Sequence, residues 1–244
     1  SVFFIFETLG IAFSLKRFFL AGISTYVAAY TAGWVISDHA LYKLPVTTWS
    51  LQGLWLMPIL VLVLTSLAFG FARLTKQATA HRIKDKRILL TLPLAFLFLA
   101  GLAQKLPHLL GNGRMVAQEA INGISWKTAF LLLVLKALVV LLTLWAGAYG
   151  GTLTPSFALG MAGAALFTLA FGLESPSTIL LIGAVCFLTV TLKAPFSATG
   201  LVIGFTGQGL DALPYLLLTA FLTVGLTQRL DRMMGRKLKE SSSR

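Results

Sequence analysis

A run of small residues ending in a fresh proline, Gly147-Ala-Tyr-Gly-Gly-Thr-Leu-Thr-Pro155-Ser-Phe-Ala-Leu-Gly160, lies between two apolar stretches, each long enough to reach far into a bilayer. Hydrocarbon offers no water, so backbone at that depth must be helical, be buried in protein or line a polar cavity. Glycines at 147, 150 and 151 followed by Pro155 predict a break and then a new helix start. Proline suits the first helical turn, where its missing N–H costs nothing. Gly150 and Gly151 would leave their amides bare and close to whatever faces the new helix. A helix amino terminus with free N–H groups and a partial positive charge favours an anion. The plainer alternative is close helix packing through small residues, which Gly160-Met-Ala-Gly163 continues. Packing alone does not call for Gly-Gly-x-x-x-Pro at a helix start.

Composition sets the solvent. Hydrophobic residues are 57% of the chain and charged residues 11%, against about 25% charged in soluble domains. Several apolar runs approach the roughly 20 residues that span a bilayer. The expected class is therefore an all-α polytopic membrane protein. A β-barrel would show short alternating segments instead. The net charge of +12 could point to nucleic acid, but its distribution does not. Basic residues collect at Arg73, Lys76, Arg82, Lys84, Lys86 and Arg87, and again at Arg229, Arg232, Arg236, Lys237, Lys239 and Arg244. Both clusters flank hydrophobic runs, as cytoplasmic segments do under the positive-inside rule. The partner implied is the lipid bilayer, with some attraction to anionic lipid, and not nucleic acid.

Along the chain, residues 1–13 read as the end of a helix and 18–36 as a first full span. The polar 37–50 connection, with Asp38, His39 and Pro45, is placed outside. Residues 54–74 form a long span leading into a basic loop at 73–87, placed inside. Residues 88–103 return, 105–113 turn, 115–122 form a short amphipathic helix, and 126–145 span again. The later pieces at 155–171, 179–192, 195–205 and 213–226 are uneven and bounded by Pro or Gly. Short interrupted segments of this kind occur near the binding sites of broken-helix transporters and channels. The basic tail at 229–244 is expected to be solvated and frayed. The chain starts inside an apolar stretch without Met, so residues before Ser1 are expected to be missing.

Four side chains stand out against this background. Lys136 lies within an apolar span and should face protein or a watery path rather than lipid. Lys193 precedes Pro195 at a second break. It either snorkels at the membrane edge or draws anions. Glu7 is the acid inside an apolar run, either hydrogen-bonded near a helix end or part of a proton path. Cys186 is expected to be a small buried hydrophobe. His39, His81 and His108 lack metal-ligand spacing, and no nucleophile–base pair or phosphate loop is visible. No enzyme activity, metal or cofactor is expected.

Taken in order, these breaks resemble the CLC family of chloride channels and proton-coupled chloride exchangers. Gly150-Gly-Thr-Leu-Thr-Pro155-Ser is similar to the family's Gly-Gly-x-Phe-x-Pro helix opening, and Lys193-Ala-Pro-Phe-Ser197 to its Arg-Ala-Pro-Leu-Thr segment. Gly204-Phe-Thr-Gly207 looks like the family's Glu-Met-Thr-Gly, with the Glu and Met lost. Leu106-Pro-His-Leu-Leu-Gly-Asn-Gly113 with Lys136, and Phe3-Phe-Ile-Phe-Glu7, also fit the pattern. The resemblance implies a fold of two inverted halves with broken and re-entrant helices, of which residues 1–228 match the second half and the last two helices of the first. The first half's Gly-Ser-Gly-Ile-Pro and gating-glutamate segments would lie before Ser1.

The resemblance also implies site roles. The anion would meet Gly150, Gly151, Thr152 and Leu153, with the amides of Thr152 and Leu153 in contact with it. Pro155 and Lys193 would border the pathway. Glu7 and Thr8 mark a possible proton pathway, in which the exchangers' internal glutamate falls on Thr8 and the preceding family Glu on Glu7. The transported ion would be chloride or a similar anion, moved by channel or exchange. A homodimer would meet through residues 1–36 and 195–228, in the plasma membrane, with 73–87 and the C-terminus cytoplasmic. The alternative is a non-conducting remnant or accessory membrane protein that keeps only the packing core.

Overall fold

The computed structural model describes residues 2–8, 11–34, 40–45, 47, 56–173 and 176–242, without side-chain placement for 176 and 236–242. Ser1, Asp38, His39 and Arg244 lie outside the described residues. Every regular element described is helical: α1 (Val2–Thr8), α2 (Leu15–Ala32), α3 (Met57–Ala80), α4 (Ile88–Ala103), α5 (Arg114–Asn122), α6 (Trp126–Trp145), α7 (Leu153–Phe171), α8 (Pro176–Leu192), α9 (Pro195–Thr206) and α10 (Leu213–Ser242), with short 3-10 turns at Pro107–Leu109 and Leu210–Ala212.

Local chemistry sets many of these ends. Ser125 caps α6, its hydroxyl accepting the Thr128 N–H at 3.3 Å. α9 closes on Gly207 at φ +63°, the left-handed stop that the glycines after Thr206 predict. By length and composition, Met57–Ala80, Trp126–Trp145, Leu153–Phe171 and Leu210–Gly235 can cross a membrane. α4, α8 and α9 are apolar but shorter, in keeping with the uneven pieces read from the sequence.

Three expectations need correction. The first full span, read at 18–36, is α2, which stops at Ala32 and is not among the helices apolar enough to cross. Lys16, Arg17 and its Ser, Thr and Tyr residues dilute it. The basic loop read at 73–87 is helical through Ala80. No breaker interrupts the chain there, so Arg73 and Lys76 ride on α3. The tail from 229 continues α10 to Ser242, because its Arg, Lys, Leu and Met favour helix and it holds no proline.

The interior is the α7–α8 pair. From Ser156 to Ala165 every residue of α7 is buried, and α8 is buried from Leu180 to Val190. The two backbones touch at Gly160 and Gly183. A Cβ on Gly160 would strike the Gly183 carbonyl, with Ala184 Cα at 2.8 Å, and a Cβ on Gly183 would strike the Gly160 carbonyl. Helices in lipid gain little from burying apolar surface, so close backbone packing must hold them. The small-residue stripe from Gly160 does pack, as expected. α3, α6, α5 and α10 surround this pair. Thr65 of α3 donates to Thr223 of α10 at 3.4 Å, and Thr223 reaches Cys186 Sγ at 3.4 Å. Cys186 is fully buried and free.

Candidate anion site

α7 starts where the sequence breaks. α6 ends at Trp145, and Gly147 turns the chain at φ +120°, a conformation that side chains other than glycine rarely adopt. A Cβ there would also run into Ile88. Thr152 precedes the helix and its carbonyl accepts the Ser156 N–H at 2.9 Å. Leu153 is the first helical residue, two positions before the expected piece at 155–171, and Pro155 lies in the first turn. Among the described residues, the consecutive amides from Gly150 to Thr154 have no hydrogen-bond acceptor. A Cβ on Gly150 or Gly151 would meet nothing within 4 Å. At Gly150 and Gly151 the break thus bares N–H groups and brings no backbones together.

The first three residues of the Gly150–Thr154 stretch border a cleft of ≈ 520 Å³. Gly150, Gly151 and Thr152 form one wall, and Ala72, Thr75, Lys76, Thr79 and Ala80 of α3 form the other, with Leu144 between. Residues 72, 75, 76 and 79 share one helical face, and the small Ala72 and Thr75 leave the room. No carboxylate lines the cleft. Lys76 and the helix-start amides therefore give it positive character throughout.

The connection after α3 fixes the break in place. The Ile83 N–H donates to the Trp145 carbonyl at 3.0 Å, and the Thr91 hydroxyl to the Ala146 carbonyl at 2.9 Å. The Arg82 guanidinium lies 3.6 Å from the Tyr149 ring centre, a cation–π contact. On the far side, the first turn of α7 is held from within. Lys136 is 2% exposed, as expected of a charge in a span, and its ammonium donates to the carbonyls of Leu109 at 2.8 Å and Gly111 at 2.7 Å. That loop presses Gly113 against α7, where a Cβ would lie 2.9 Å from Ala158 Cβ and 3.5 Å from the Thr154 carbonyl. Tyr42, fully buried, stacks on Phe157 at 4.7 Å.

The other residues singled out gather elsewhere. Lys193 is exposed and takes a left-handed turn at φ 55° between α8 and α9. It does not line the cleft. α9 starts at Pro195, and its bare amides are taken by Glu7. The Glu7 carboxylate accepts the Phe196 N–H at 3.2 Å, the Ser197 N–H at 2.6 Å and the Ser197 hydroxyl at 2.5 Å. Thr8 has a buried hydroxyl with no partner. The structure thus brings Gly150, Gly151, Thr152 and Leu153 together, and brings Glu7 to the turn that carries Lys193.

Sequence reasoning missed the α3 wall, because Lys76 was read as loop. The continued 3-4 spacing of Ala72, Thr75, Lys76 and Thr79 was the available signal. It also missed Arg82 on Tyr149 and Tyr42 on Phe157, which no local pattern announces.

An all-helical architecture with helices long and apolar enough to cross a membrane, and a bare helix start beside a cleft bearing a lysine, defines a polytopic helical membrane protein. The voltage gated chloride channel family matches the chain over residues 1–228, and the chain belongs to that family. It is thereby an integral membrane protein, and its family comprises transporters rather than enzymes. The fold is similar to that of a slow cyanobacterial Cl⁻/H⁺ antiporter, with a TM-score of 0.81 at 20% identity over 99% of this chain and 61% of that one. A CLC-type fluoride/proton antiporter is similar with a TM-score of 0.75 at 19% identity, over 93% of this chain and 57% of that one. The chain thus spans about three-fifths of the length of these neighbours. No curated protein matches it.

Proposed function

We propose that this chain carries part of a transmembrane pathway for chloride or a similar small anion, with the ion held at the start of α7. One observation carries the reading: the amides from Gly150 to Thr154 are unpaired among the described residues, and Gly150, Gly151 and Thr152 line a cleft that contains a lysine and no carboxylate. Amide coordination fits an ion that must leave again. N–H dipoles replace part of its water shell without a full opposite charge to trap it. Replacing the family's Ile and Phe by Thr152 and Leu153 changes the wall but not the N–H groups. Pro155 supports the arrangement by removing a donor that would otherwise need a partner in the same turn.

Both structural neighbours are antiporters that couple an anion to protons. In this chain Glu7 caps α9, and Thr8 stands where the exchangers' internal glutamate would fall. A threonine hydroxyl does not change charge near neutral pH, so uncoupled anion movement is the reading favoured here. Homodimer formation through residues 1–36 and 195–228, a plasma-membrane location, and a cytoplasmic placement of the Arg82–Arg87 connection and the C-terminus complete the proposal. The orientation rests on the positive-inside rule.

The test is flux from liposomes carrying the purified protein, with chloride and internal pH recorded together. Chloride efflux above that of empty liposomes, without proton movement, is expected. Chloride-driven proton uptake would replace the uncoupled reading by exchange. Absence of flux for chloride, nitrate and fluoride alike would leave the non-conducting accessory reading in its place.

A further inference from the structure

We propose that Lys76 is the residue that collects the anion in front of α7, a role that rests on the pathway reading above. The argument starts from its face of α3. Ala72, Thr75, Lys76 and Thr79 recur at helical spacing on the wall of the cleft, opposite Gly150, Gly151 and Thr152. Leu74 and Gln77 lie on another face, beside Leu138 and Trp145 of α6. Lys76 is thus exposed at this cleft, beside Thr75 and Thr79 and opposite the helix-start residues Gly150, Gly151 and Thr152.

Its charge is also uncompensated. Among the described residues Lys76 has no ion pair; the pairs present are Arg87 with Asp85 and His108 with Glu119. The neighbouring cation, Arg82, is occupied on the Tyr149 ring. Lys76 is thus the charged side chain left facing the cleft. A single ammonium in a cleft lined by alanines, threonines, a leucine and helix-start backbone raises the local anion concentration without binding so tightly as to block release. Thr75 contributes little to this, because its hydroxyl is spent on the Ala72 carbonyl at 2.9 Å.

The same chemistry, a monoanion met by an ammonium and N–H groups, could be supplied by a dissolved halide or by a lipid phosphate at the cleft mouth. The experiment separates them. The chain is reconstituted in vesicles of neutral lipid and, in a parallel arm, of anionic lipid, and chloride flux is followed against chloride concentration at low and at about 1 M ionic strength, where the Debye length falls to about 3 Å. Halide binding is measured in parallel by calorimetry in detergent. Lys76→Gln should raise the half-saturating chloride concentration about five-fold at low salt, the factor expected for a unit charge about 4 Å away in water. The maximal rate should be kept, and the difference should shrink at high salt. Lys76→Arg should restore the wild-type value. Lys84→Gln removes the same charge from an exposed position outside the cleft and should leave the half-saturation point unchanged.

Equal half-saturation for wild type and Lys76→Gln, with wild-type flux intact, overturns the role of Lys76 and leaves the pathway standing. A difference that appears only in vesicles containing anionic lipid assigns the lysine to a headgroup and overturns it as well. Absence of both flux and halide binding in the wild type removes the pathway, and this inference with it.

Discussion

α7 and α9 both begin after a break, both carry a proline in the first turn, and both present backbone N–H groups that no helix can satisfy. At α9 the protein supplies its own anion: the Glu7 carboxylate sits on the amides of Phe196 and Ser197. At α7 the amides from Gly150 to Thr154 have no partner among the described residues, and Gly150, Gly151 and Thr152 line a cleft. The comparison shows what this architecture does with a bare helix start. Where stability alone matters, a fixed carboxylate closes it. Where the end is left open beside a lysine, the proposed reading puts an exchangeable anion in the carboxylate's place. A second contrast lies within α7. Gly160 has no room for a Cβ, whereas Gly151 has open space around it. One glycine lets two backbones touch, and the other keeps a backbone accessible.

The strongest way to break this picture is at the seam that positions α7. Gly160→Val places atoms against the Gly183 carbonyl and Ala184 backbone, which cannot move aside as a side chain can. The cost should exceed the roughly 1–3 kcal/mol of ordinary core overpacking. Loss of the monodisperse peak on size exclusion in detergent, or a sharply lowered thermal midpoint, is the expected result. A variant that melts like wild type would show that the seam does not set the position of α7.

Emptying the closed end should have a smaller effect. Glu7→Ala uncaps α9 and should lower stability by about 1–2 kcal/mol, read as a shift in thermal midpoint. Added chloride should recover part of that shift if a freed α9 start behaves like the α7 start. Recovery by sulfate and not chloride, or no loss at all, would mean that the two ends are not equivalent.

The smallest change concerns one amide. Gly151→Pro deletes a single N–H, worth about 1.5 kcal/mol if it contacts a charged ion, or about ten-fold in affinity. Transport at low chloride should fall by about that factor. Gly151→Ala keeps the N–H and finds open space, so it should transport like wild type. Equal losses in both would assign the effect to backbone freedom and not to the donor.

Much of this was legible in the residues. The hydrophobic runs, the bounds of α4 and α6, and the break before α7 follow from local rules of length, periodicity and Gly/Pro punctuation. The bare amides at Gly150 and Gly151 follow in part, since an N–H at a helix start lacks a partner within its own helix. The limits of local reading show at Arg73 and Lys76. Their charges resemble a loop, but an unbroken helical register carried α3 past them to Ala80.

What the sequence by itself determined is the solvent, the all-helical class and the places where helices must stop, because backbone hydrogen bonding in lipid leaves few choices. Tertiary structure decided which side chain meets which helix end. Glu7 reaches an amide 189 positions away, and Lys136 reaches carbonyls 27 and 25 positions back. Lys76 shares a cleft with Gly151 only because α3 packs against α7. Those partners are set by the packing of whole helices, and no local spacing encodes them.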